Sequence, residues 1–200
     1  MRQSREDGTG PRPASHDEGE PAQVRLIGRV AAGDLRAFEQ LYRSYHSRLT
    51  RFLDRMTRRR SLVEEVLNDT MLVVWNRADR FNGTSKVSTW VFAIAYRSAL
   101  KALRRQDEAV EDDERDEHAA PGAGPEQQME QRQTSTGLVR ALDALSDNHR
   151  MVVELTYFHG MGYREIAEIV DCPVDTVKTR MFHARRRLRA LLAGDAGDWL

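Results

Sequence analysis

The 200-residue chain contains a single cysteine, Cys172, which excludes an internal disulfide framework and any metal site built on a cysteine cluster. Long apolar runs are also missing. The longest, Trp90–Ala95, falls far short of the ~18–20 residues that span a bilayer. The first twenty residues are polar and mixed in charge, without the apolar core of a signal peptide, so the protein is expected in the cytoplasm. The six histidines, at 16, 46, 118, 149, 159 and 183, form no H-E-x-x-H or similarly spaced pair, so no metal and no cofactor is expected. No run of alternating β-branched residues offers a strand. Net charge is absent too, with 31 Lys+Arg against 31 Asp+Glu.

That zero is the sum of opposed blocks. Residues 23–105 carry +10, residues 106–137 carry −8, residues 1–22 carry −2, and residues 138–200 balance. A basic block followed by an acidic one points to polyanion contact by the first. The alternative is the solvated face of Arg-rich helices. Residues 1–22 collect Gly, Pro, Ser and charge, and are expected to be a disordered tail. Residues 106–134 open with an acidic run and continue through Ala-Ala-Pro-Gly-Ala-Gly-Pro, which reads as a flexible linker. Two small all-α domains are expected, over 23–105 and 135–195.

In the first, Asp34 follows Gly33 as a helix N-cap. Leu35, Phe38, Leu41, Tyr42, Tyr45, Leu49, Phe52, Leu53 and Met56 then recur at helical spacing. Ser61 and Glu64 make an S-x-x-E capping-box pattern ahead of the stripe Val63, Val66, Leu67, Thr70, Met71, Val74. A polar stretch, Asn82–Lys86, precedes a further helix that Ser88 can cap. Aromatic and basic residues gather around that stretch: Trp75, Phe81, Lys86, Trp90, Tyr96, Arg97, Lys101, Arg104 and Arg105. Aromatic faces beside a cationic groove suit unstacked bases. Phe92 reads more readily as core, while Trp90 and Tyr96 fit either reading.

In the second domain, Gly160 and Gly162 bracket a break, Tyr163–Val170 forms a short helix, and Asp171-Cys172-Pro173 forms a turn. The last helix carries Val174, Val177, Met181, Ala184, Leu188 and Leu191 on one face. This is a helix-turn-helix pattern whose second helix would enter a major groove. Its outward face presents Thr176, Thr179, Arg180, His183 and Arg187, flanked by Lys178, Arg185, Arg186 and Arg189. An ordinary amphipathic surface helix is the competing reading.

The ordered set of motifs resembles a bacterial sigma factor. Leu26…Gly33-Asp34…Ala37-Phe38-Glu39…Leu41-Tyr42 is similar to the opening of the conserved sigma domain. Glu64-Glu65-Val66-Leu67-Asn68-Asp69-Thr70-Met71…Val74-Trp75 resembles the segment that docks on core RNA polymerase. Ser88–Ala95 resembles the helix that opens the promoter −10 element. Tyr163-x-x-Ile166-Ala167, Pro173-x-x-Thr176-Val177-Lys178-Thr179-Arg180 and Ala184-Arg185-x-x-Leu188-Arg189 resemble the −35 reader. The match covers about 26–105 and 138–192, which leaves no room for the extra domains of housekeeping sigmas. The pattern is that of the extracytoplasmic-function (ECF) group. One departure is Asp175, which stands where the family usually has Gly.

The resemblance implies a sigma region 2 bundle over 23–105, a sigma region 4 helix-turn-helix over 135–195, and no catalytic residues. It implies polymerase contact by Glu65, Leu67, Asn68, Asp69 and Thr70. It implies −10 DNA contact by Phe81, Asn82, Lys86, Trp90, Arg97, Lys101, Arg104 and Arg105. It implies −35 contact by Thr176, Lys178, Thr179, Arg180, His183, Arg185 and Arg187. Core RNA polymerase, promoter DNA and an anti-sigma factor are the implied partners, with neither membrane insertion nor a small-molecule substrate. The rival readings are a helix-turn-helix repressor or activator that never joins polymerase, and an all-α nucleic-acid-processing enzyme. The latter would need a metal set, for which Glu64, Glu65 and Asp69 are the only compact acids in a helix.

Overall fold

A computed structural model describes residues 19–113 and 131–195, with side chains over 19–108 and 137–193. Among the described residues there are eight α-helices, one short 3-10 turn and no strand, as the all-α reading expects.

The first four helices pack on one another as a bundle. Helix α1 (Glu20–Ala31) has Pro at the start of its first turn, where the missing N–H costs nothing. It begins inside the 1–22 segment expected as a tail; residues 1–18 lie outside the described structure. Gly33, at φ +83°, makes the turn that an L side chain rarely adopts. Asp34 then caps α2 (Leu35–Thr57), its Oδ1 accepting from the N–H groups of Arg36 and Ala37 at 3.0 and 3.1 Å. Leu41, Tyr45, Leu49, Phe52 and Leu53 are buried along α2, whereas Leu35 is exposed because it lies off the stripe that begins at Ala37.

Two expected local caps are not used. Helix α3 (Arg60–Arg77) starts before Ser61, with Arg59 as an extended cap residue and no side-chain cap bond. Arg59 is instead tied to a part of the chain distant in sequence, through Gln106 at 2.6 Å and Asp107 at 3.0 Å. Helix α4 (Val87–Asp113) starts before Ser88, and the Val87 N–H is satisfied by Glu20 Oε1 from α1 at 2.7 Å. The start of α4 is thus set by a long-range partner, whereas the first turn of α3 carries no side-chain cap. Helix α4 continues into the segment expected as linker, and α5 (Gln131–Asp143) begins within it; residues 114–130 lie outside the described structure.

Helices α5, α6 (Asp147–Tyr157), α7 (Tyr163–Val170) and α8 (Val174–Asp195) form the second unit. Gly160, at φ +67°, makes the break after α6, and Asp171, at φ 52°, makes the tight turn between α7 and Pro173. Val177, Met181 and Ala184 are buried on the inner face of α8. The helix-turn-helix stands over the residues read for it. The two units also pack on each other, α7 against α4 and α6 against α2, so that their buried residues join one core.

Candidate nucleic-acid interface

Helix α3 presents one polar stripe. Glu64, Glu65, Asn68, Asp69 and Leu72 are exposed, while Leu67 and Thr70 are fully buried. This corrects the expectation that Leu67 and Thr70 touch a partner. The 3.6-residue period that aims Val63, Val66 and Val74 inward also aims these two, and the Thr70 hydroxyl is used up on the Val66 carbonyl at 2.6 Å. Asn68 Oδ1 accepts weakly from the Tyr42 hydroxyl at 3.4 Å, and Glu65 pairs with Arg105 of α4 at 2.9 Å. Asp69 is exposed at the middle of the stripe.

The loop before α4 is pre-shaped by Asn82, whose Oδ1 accepts from the N–H and hydroxyl of Thr84 at 3.1 and 2.7 Å. Phe81 and Trp90 meet edge to face at 5.6 Å, both half-buried, and so offer aromatic surface at the loop base. Along α4, Arg97, Lys101, Arg104 and Arg105 line one open groove with Leu100 and Glu108. Phe92 is core, as expected. Lys86 is half-buried and faces Glu165 of α7 at 3.6 Å.

On α8, Lys178, Thr179, His183, Arg185 and Arg187 are exposed. Thr179 donates to the Asp175 carbonyl at 2.9 Å, Lys178 pairs with the Asp175 carboxylate at 2.9 Å, and Arg185 reaches the Tyr157 hydroxyl at 3.2 Å. Thr176 and Arg180 are only half-exposed, unlike the open face expected for them. Arg180 lies beside Cys172, Nη1 to Sγ 3.8 Å, and close enough to Tyr96 of α4 for its charge to be felt there. The Tyr96 phenol is pushed up by burial, against the pull of Arg180. His149 faces His183 across α6 and α8 at 6.1 Å, and its imidazole is pushed down by burial, by His183 and by Arg180.

The seam between the units holds residues that local patterns do not reveal. His159 packs against the rings of Phe52 and Phe92, at 5.9 and 4.8 Å, and those two meet each other at 5.1 Å. Burial, then the charges of Arg48, Arg51 and Arg55, push its imidazole down to about 4. Glu154 is buried, which pushes its carboxyl up, while Arg55 at 2.9 Å pulls it down. His159 Nε2 and Glu154 Oε1 stand 3.7 Å apart, beyond hydrogen-bond reach, and neither has another hydrogen-bond partner in the structure. Among the described residues no three His, Cys, Asp or Glu gather as a metal site, and no helix is long and apolar enough to cross a membrane.

Comparison with known proteins gives this arrangement its family. The model of Sigma-70 region 2 matches residues 41–109, and that of Sigma-70 region 4 matches residues 136–188. The ECF RNA polymerase sigma-E factors of Salmonella typhimurium and Escherichia coli K12 are each 30% identical over 173 residues, spanning 82% of this chain and 90% of theirs. The chain belongs to the ECF sigma factors. Sigma factors are non-enzymatic regulatory proteins, and this one serves promoter-directed initiation of transcription. Two solved structures resemble this sigma factor at TM-score 0.65 and 25% identity. One is CnrH in complex with the cytosolic domain of CnrY, covering 87% of this chain and 99% of that one. The other is RpoE of Bartonella quintana in complex with the anti-sigma factor NepR, covering 80% and 98%.

Proposed function

We propose that this sigma factor docks on core RNA polymerase through the exposed stripe of α3, with Glu65, Asn68 and Asp69 as its polar contacts. Leu67 and Thr70 support that stripe from the core. The loop Phe81–Lys86 and the aromatic pair Phe81 and Trp90 receive bases from the melted −10 strand, whose unstacking costs a few kcal/mol. Arg97, Lys101, Arg104 and Arg105 hold that strand's phosphates along the groove of α4. The N-terminal half of α8 reads the −35 duplex, with Thr176, Thr179 and Arg180 toward base edges. Lys178, His183, Arg185 and Arg187 position it on the backbone. The polymerase performs the chemistry; the sigma factor works in the cytoplasm and supplies no catalytic group. An anti-sigma factor is its expected antagonist, since both solved relatives carry a second protein and one is named as an anti-sigma factor.

The observation that carries this reading is the order of the two sites in one chain. A basic bundle with an open groove lined by Arg97, Lys101, Arg104 and Arg105 precedes a helix-turn-helix, and the relatives match across both. A repressor would need only the second. Footprinting tests the choice. The chain with core polymerase should protect two upstream segments at fixed spacing and leave the chain alone a poor binder, because its two readers act together only on the polymerase. Tight binding of a palindrome by the chain alone would favour the repressor.

A further inference from the structure

Helices α6 and α8 flank a cavity of about 480 Å³ whose titratable lining is basic throughout: His149 from α6, and His183, Arg186 and Arg187 from α8. The turn after α5 adds Ala144, Leu145 and Ser146, and among the described residues no carboxylate lines the cavity. Asp147, two positions before His149, is turned to Arg150 at 2.5 Å. A concave site with basic groups on two helices and no acid favours an anion.

The two imidazoles are set side by side. Phe182 meets the His183 ring edge to face at 5.5 Å, and the ring of His149 lies 6.1 Å from it, tilted by 32°. His149 is half-buried; burial, then the charges of His183 and Arg180, push its proton off. The charged groups that face it are therefore His183, Arg186 and Arg187 across the cavity and Arg180 beyond them. An anion seated among them would oppose both charge effects and favour the imidazolium. Position decides which anion. His183 and Arg187 lie on the outward face of α8 assigned to the −35 duplex, so the cavity continues that face toward α6. A backbone phosphodiester is the anion that such a face meets.

We propose that His149 and Arg186 complete, with His183 and Arg187, a seat for one phosphate of the −35 duplex, so that a histidine outside the helix-turn-helix ties promoter affinity to proton uptake. This rests on the assignment of α8 to that duplex. The phosphate favours the charged form of His149, which takes its proton from solvent as the duplex binds. Binding therefore tightens as pH falls from about 8 to about 6, by at most about tenfold per pH unit for one proton.

The test uses the full chain on core polymerase and labelled promoter duplexes found by run-off transcription. His149→Ala at about pH 6.5 should weaken binding about three- to tenfold, equally on promoters that differ in their −35 bases, and should lower the salt slope by about 1. Should that variant loosen α6, two others carry the test. His149→Gln should flatten the dependence on pH, and His149→Arg should bind tightly at both ends of the range. Duplexes with one neutral methylphosphonate, scanned along the −35 element, locate the phosphate. At one position the substitution should weaken the unmodified chain and leave His149→Ala unaffected. Losses that simply add at every position would overturn the seat. So would a His149→Ala chain that loses association with polymerase in a pull-down, which would give the cavity to a protein. If Thr179→Ala and Arg187→Ala weaken binding while His149→Ala and Arg186→Ala do not, the seat alone fails. If none of the four weakens it, the −35 assignment fails and the seat falls with it.

Discussion

Glu154 on α6 lies 2.9 Å from Arg55 on α2, although 99 residues separate them, and its side chain is only 5% exposed. Arg55 also stacks over Phe158, 4.0 Å from the ring centroid. Arg55→Ala leaves a buried carboxylate whose other oxygen already lacks a hydrogen-bond partner. Breaking a fully buried pair costs ~3–5 kcal/mol. Arg55 is 38% exposed, so screening reduces the expected loss to ~1–2 kcal/mol. A thermal midpoint equal to that of the unmodified chain would contradict the pairing.

The buried imidazole of His159 makes stability depend on pH. Its pKa is depressed from 6.5 to about 4, so the folded state binds this proton less readily than the unfolded one. Its share of stability is present in full above pH 6.5 and is lost as pH falls toward 4. Glu154, raised above 4.5, acts in the opposite sense at the acid end, because its protonated form suits burial. In the upper part of the window His159 therefore dominates. Stability should fall by ~1–2 kcal/mol between about pH 7 and about pH 5.5. His159→Phe, which keeps an aromatic ring against Phe52 and Phe92, should flatten that slope in thermal melts. An unchanged slope would assign it to other groups.

Docking and packing on α3 can be separated by a pair of substitutions. Asp69→Arg should abolish association with core polymerase in a pull-down while leaving the melting midpoint nearly unchanged. Leu67→Ala should cost ~2–5 kcal/mol of stability, since it opens a cavity at a fully buried site. Normal association of the Asp69 variant would remove this stripe as the docking surface.

Arg180→Ala should cost ~1–3 kcal/mol in promoter binding if the guanidinium reads a base, and the loss should be confined to promoters carrying that base. Equal loss on every sequence in a competition assay would make it a phosphate contact.

How much of this was legible in the sequence differs from residue to residue. The Asp34 cap, the Tyr163–Val170 helix, the glycine break at Gly160 and the burial of Phe92 follow from local rules, because neighbours in the chain decide them. Ser61 and Ser88 misled because each lies inside its helix: α3 begins at Arg60 with Arg59 as an extended, uncapped start, and α4 begins at Val87, whose N–H is held by Glu20. Leu67 and Thr70 sit in a motif associated with partner binding, yet helical phase alone turns them inward. The domain seam was not legible. Glu154, His159 and Glu165 carry no pattern that names Arg55, Phe92 or Lys86 as their partners, and these meetings depend on tertiary packing.

The most direct test of the sigma function is run-off transcription of genomic fragments by bacterial core polymerase, with and without this chain, with 5′ ends sequenced. New start sites that share two upstream motifs at a fixed spacing are the predicted result. No new start sites, from a polymerase shown to bind the chain, would contradict it.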